Sequence, residues 1–157
     1  MSEMEKLAAE LGQGAQRAEQ AKASSRETIE SWLKDLEALV ETVDGWLTPL
    51  KNTNQVTTSR EEIDISEAPT HELATRYRAP VLTIKFKGKT IKFVPVGRYM
   101  IGNNGVVELR GLPRQVAIDR LLDGELCNWR IRVLANKQRP DLMPLTSDNF
   151  ASLLRLC

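Results

Sequence analysis

Residues 29–50 read IESWLKDLEALVETVDGWLTPL. Apolar side chains fall at Ile29, Trp32, Leu36, Leu39, Val43, Trp46 and Leu50, in steps of 3, 4, 3, 4, 3 and 4. An α-helix turns once in 3.6 residues, so this spacing keeps the whole set on one side. Leu33, Val40 and Leu47 widen the seam into a stripe. Burial returns ~1.5–3 kcal/mol gross for each large apolar side chain, offset largely by ordering. The stripe therefore faces something other than water. One surface that qualifies is the chain's own β-sheet. The other is a helix of a second copy or of a different protein, paired through heptads. The stripe is wide enough to serve both. In the second case Trp32, Leu36, Leu39, Val43 and Trp46 carry the partner contact.

Toward the N-terminus, Ser24 and Glu27 form a capping-box pattern that places the start of the strong helix near Ser25. Pro49 limits it to about Thr48, and Gly45 weakens it by up to ~1 kcal/mol relative to Ala. Residues 1–23 are polar and Ala-rich. Ser2 and Glu5 suit a second cap, and Leu7, Leu11, Ala15 and Ala18 make a thin stripe broken by Gly12 and Gly14. They read as an arm, weakly helical or disordered, that orders against a partner.

Toward the C-terminus, residues 51–79 read as a connector. Lys51 to Ser59 is turn-rich, Glu62-Ile63-Asp64-Ile65 alternates like a short edge strand, and a helical turn is expected around His71 to Arg76. Residues 80–157 read as a basic β domain. Val81–Lys87 and Thr90–Val96 flank Gly88-Lys89, a two-residue loop suited to a type II′ turn. That loop pairs Phe86 with Ile91, Ile84 with Phe93 and Leu82 with Pro95, all on one face, with Lys85, Lys87 and Lys92 on the other. Pro95 suggests a strand edge or a bulge. Asn104-Gly105 marks a second hairpin, between Arg98–Gly102 and Val106–Arg110. Asp123-Gly124 marks a third, pairing Ile118 with Trp129 and Val116 with Ile131. After a loop containing Pro140 and Pro144, Thr146 or Ser147 caps a last helix bearing Phe150, Leu153 and Leu154.

The resulting class is α+β: a long N-terminal amphipathic helix, an antiparallel meander of about six strands forming a curled sheet or open barrel, and a short C-terminal helix. The 157 residues suit one domain with an appendage. No apolar run is long enough for a bilayer. MSEMEKLAAEL at the start has no hydrophobic signal region, so a cytoplasmic protein is expected. Two cysteines make no disulfide framework. Cys127, among strand residues, is expected to be buried, and the terminal Cys157 exposed.

Net charge is +1, but residues 1–75 hold 7 Lys/Arg and 15 Asp/Glu, and residues 76–157 hold 15 and 6. Either the acidic helix docks on a basic domain, its own or a neighbour's, or the basic half serves an external anion such as nucleic acid.

Catalytic signals are thin. His71 is the lone histidine, with no nucleophile pattern around it. Gly88-Lys89-Thr90 resembles the end of a phosphate-binding loop, but Thr83 stands where that loop needs glycine. Glu61, Glu62, Asp64 and Glu67 suit a hard cation, but alternation puts them on a solvated strand or loop. Glu108-Leu109-Arg110 lacks a nearby acidic partner. No cofactor, metal or small-molecule substrate is expected. In the hairpin register above, Lys85 sits directly across from Lys92, a repulsive pair that an anion would relieve. Lys85, Lys87, Lys92 and Arg98 are therefore the candidate anion or nucleic-acid contacts. The sequence points first to a non-enzymatic interaction or adaptor subunit that assembles through helix 25–48, and second to a nucleic-acid-binding protein.

Overall fold

The computed structural model describes residues 2–67, 75–98, 104–124, 126–134 and 140–157. Within these ranges the side chains of residues 15–28 and 75 lie outside the description. His71, Tyr99 and the Arg139 loop fall outside it altogether.

Helical backbone runs over Glu3–Trp46 (α1). Ser2 Oγ accepts the Glu5 N–H at 3.2 Å and Glu5 Oε2 accepts the Ser2 N–H at 3.2 Å, the reciprocal cap read from the sequence. The start is thus Glu3, not Ser25, because the backbone is already helical at Ser24. The side chains of α1 are described over residues 3–14 and 29–46, so the amphipathic stripe is seen from Ile29 onward. Leu47 ends α1, and Pro49 lies in the first turn of α2 (Thr48–Asn52).

Seven strands follow, β1 (Val56–Glu67), β2 (Thr75–Phe86), β3 (Lys89–Gly97), β4 (Val106–Arg110), β5 (Gln115–Asp123), β6 (Leu126–Leu134) and β7 (Asp141–Pro144), and then α3 (Ser147–Leu154). They pair in sequence order as one antiparallel sheet that does not close. Glu67 at the end of β1 reaches the end of β3, where a Cβ on Gly97 would meet its Oε1 at 2.9 Å. The stretch expected to be a connector is therefore mostly sheet. β1 extends well beyond the four alternating residues, since Val56 and Ile65 are buried at its two ends. Both edges resist further pairing. β1 is charged with Glu61, Glu62 and Asp64, and β7 is four residues long and ends on Pro144.

Two expected registers move. In β2–β3, Ile84 pairs with Ile91 and Leu82 with Phe93, and the turn is Lys87-Gly88. Both turn residues have positive φ, 53° and 73°, which is the type I′ turn that matches strand twist. In β5–β6, Ile118 pairs with Ile131 and Val116 with Val133, two residues further along β6 than Asp123-Gly124 implies. Each change shifts the pairing by two positions, so the side chains keep their faces. A bulge does occur at Pro95–Gly97, between β3 and β4. Of the strand expected over Arg98–Gly102, only Arg98 is described.

The core lies between one face of the sheet and two helices. Trp32, Leu36, Leu39, Val40, Val43 and Leu47 are all buried, joined by Phe150, Leu153 and Leu154 of α3. Trp32 meets Trp129 at 6.2 Å between ring centroids, and Phe150 meets both Trp46 and Phe93 at 6.1 and 5.7 Å.

Candidate interaction surfaces

The residues read as partner contacts sit in the protein's own core. Trp32, Leu36, Leu39 and Val43 are 0–3% exposed, and Trp46 is half-buried against Phe150. As placed, the first four offer no surface to a second molecule. The in-chain alternative for the stripe accounts for them.

Ion pairs fix the helix on the sheet. Arg120 of β5, itself buried, donates to Asp35 Oδ2 at 2.5 and 2.9 Å, to Ser31 Oγ at 3.0 Å and to the Asn104 carbonyl at 3.3 Å. Its guanidinium also covers the Trp32 ring at 5.3 Å. Asp44 accepts from Lys51 and from Thr58 at 2.8 Å, and Glu37 from Arg60 at 3.3 Å. Burial pushes the Asp44 pKa up, but the hydrogen bonds from Lys51 and Thr58 and the charges of Lys51 and Arg60 outweigh it and hold the carboxyl below its usual range. The Arg120 pair was missed in the sequence, yet a signal existed. Val116, Ile118 and Arg120 share one face by alternation, which puts an arginine in a core position.

The expected anion site divides. Lys85, Lys87 and Lys89 are exposed around the β2–β3 turn, with Lys87 Nζ 5.3 Å above the Phe86 ring. Lys92 does not face Lys85. It lies opposite Thr83 and pairs with Glu61 at 3.0 Å, and that bond and charge lower the Glu61 pKa. Arg98 is buried and bound to Glu67 at 2.6 Å, so its charge is spent inside the fold. Glu67 also accepts from the Arg98 backbone N–H at 2.6 Å and from Tyr77 Oη at 2.9 Å. Burial, this hydrogen bond and the Glu67 charge push the Tyr77 phenol well above its ordinary pKa. Among the described residues the buried Trp32 indole N–H finds no hydrogen-bond partner, though it lies close enough to Tyr77 to counter part of that rise. The acidic residues of β1 are thus engaged by cations, with Arg78 serving Glu62 at 3.8 Å and Asp64 at 3.5 Å.

The thiols also differ from expectation. Cys127 and Cys157 are both half-buried, the latter because the chain end packs on the core. Burial and the Asp35 charge raise the Cys127 pKa, countered by Arg120.

Two further surfaces are open among the described residues. Ser2 and residues 3–14 of α1 are exposed, including Met4, Leu7 and Leu11 at 74, 48 and 67%. Beside the β4–β5 turn a groove of about 500 Å³ is lined by Val96, Leu112 and Leu134 together with Arg110, Arg114 and Arg132. Among the described residues no helix is long and apolar enough to cross a membrane. Comparison of the chain with family models, with curated proteins and with solved structures gave no match.

Proposed function

We propose that the chain is a non-enzymatic interaction protein of the cytoplasm that assembles through α1. The observation that carries this is the exposed triplet Met4, Leu7 and Leu11, spaced 3 and 4 apart on the helix. A lone exposed leucine needs no explanation, but three at seam spacing make an apolar edge suited to a partner. The stripe from Trp32 to Val43 anchors the helix to its own sheet, so the partner contact moves from those residues to the N-terminal part of the same helix. A photoreactive residue in place of Leu7 tests this. Cross-linking to a polypeptide, abolished by Met4→Ser with Leu11→Ser, supports the reading. A probe that never joins any polypeptide overturns it.

A second reading is favoured by Lys85, Lys87 and Lys89, which are exposed with no carboxylate partner among the described residues. Three lysines around one turn suit nucleic-acid phosphates, with affinity that falls as salt rises. Binding of labelled DNA and RNA across a salt series, lost in Lys85→Glu/Lys87→Glu, supports it. No binding at low salt excludes it.

A further inference from the structure

These two surfaces are complementary in charge. Residues 2–14 carry Glu3, Glu5 and Glu10 against Lys6 alone, around the apolar triplet. The groove reverses that. Val96 and Leu134, 37 and 41% exposed, line it together with Arg110, Arg114 and Arg132. Glu108 also lines it and pairs with Arg110 at 2.9 Å, while Arg132 and Arg130 share the buried Asp119. Arg114 is exposed and has no carboxylate partner among the described residues.

The helix does not reach its own groove. Asp44 contacts Thr58 near the start of β1, whereas Asp35 contacts Arg120 near the end of β5, and Trp32 packs on Gly105. Followed toward its N-terminus, α1 thus runs away from the β4–β5 turn. The helical residues between Trp32 and Leu11 then add ~30 Å in that direction, at 1.5 Å per residue.

We propose that the groove receives residues 3–11 of a second copy, with Met4, Leu7 and Leu11 on its floor and the glutamates against Arg110 and Arg114. This rests on the reading of α1 as the assembly helix and names its partner. The contact is heterologous, one helix and one groove per copy, so repetition gives closed rings or open chains of molecules. Opposite charges add steering that weakens with salt.

Sedimentation velocity of the full chain tests the pairing with two variants at exposed positions. Leu7→Glu/Leu11→Glu damages the helix, and Arg110→Glu/Arg114→Glu damages the groove. The parent is expected to grow with concentration, and each variant alone to stay monomeric. Their equimolar mixture forms a heterodimer and nothing larger, because it holds one intact helix and one intact groove. Arg114→Glu alone weakens association about tenfold and guards against misfolding of the double variant, with thermal melting as the folding check. A groove variant that assembles like the parent overturns the pairing while leaving the helix as the assembly element. A parent that is monomeric at every soluble concentration also overturns it, and the Leu7 cross-link then decides separately whether α1 binds a different protein.

Discussion

Arg120 and Asp35 lie 85 residues apart in the chain and meet through two N–H to oxygen bonds of 2.5 and 2.9 Å. This pair ties α1 to the middle of the sheet where Trp32, Trp129 and Gly105 converge. Arg120 is 1% exposed, so its charge depends on that carboxylate. Asp35→Ala leaves the guanidinium buried and uncompensated, a class of change that costs ~3–5 kcal/mol. The lower end is expected, because the Asp35 side chain keeps 22% exposure. Replacing both residues, as Asp35→Leu/Arg120→Met, costs less than Asp35→Ala. Urea unfolding of the two variants checks this, and a double variant that costs more than Asp35→Ala would contradict the coupling.

The stripe makes its own prediction. Leu36→Ala removes a buried side chain from the core and costs ~2–5 kcal/mol, with no change in solution mass. Were the stripe a partner seam, the same substitution would lower the mass and leave the monomer's melting temperature nearly intact. Thermal melting alongside light scattering separates the two outcomes.

Gly105 has φ 145°, and a Cβ there would lie 2.6 Å from Cζ3 of Trp32. Neither the backbone nor a fully buried indole gives way cheaply. Gly105→Ala is expected to cost at least ~1–3 kcal/mol from crowding alone. A change in Trp fluorescence should accompany it, since Trp32 must shift. A variant that melts with the parent would show that the indole is not held against this turn.

Tyr77 makes stability depend on alkaline pH. Its folded pKa is raised by burial and by Glu67, so the unfolded chain loses the phenolic proton first. The folded state then binds more protons than the unfolded one, and stability falls as pH rises. The contribution is complete below the unfolded value of about 10 and is lost above it. The difference in unfolding free energy between the parent and Tyr77→Phe should shrink from pH 9 upward. A constant difference would mean that the phenol is not held by Glu67.

Where periodicity is local, the chain was readable. The stripe over 29–50, the hairpin of β5–β6 in place of a helix, the bulge beside Pro95 and the Thr146 cap of α3 each follow from neighbours in sequence. Turn placement was less legible. Lys87-Gly88 and Gly88-Lys89 are both reasonable two-residue loops, and what separates them is whether Lys87 accepts a left-handed conformation. β1 was largely hidden, because an edge strand rich in Thr, Ser and Glu lacks apolar alternation over most of its length. The candidate anion site suffered most. Lys92 and Arg98 read as free charges only while Glu61 and Glu67, both 31 residues away, have no place in space. Charge counts along a chain do not reveal cross-strand neutralisation.

Amide hydrogen exchange of the full chain, followed in dilute and in concentrated solution, is the most direct measurement. Residues 32–46 are expected to be protected at both concentrations, because their stripe is buried by the chain's own sheet. Residues 3–14 are expected to exchange rapidly when dilute, since an exposed helical segment is marginal alone. They should become protected as concentration rises and they enter the groove of another copy. Contradiction would take either of two forms: protection of residues 32–46 that appears only on concentration, or exchange of residues 3–14 that concentration leaves unchanged.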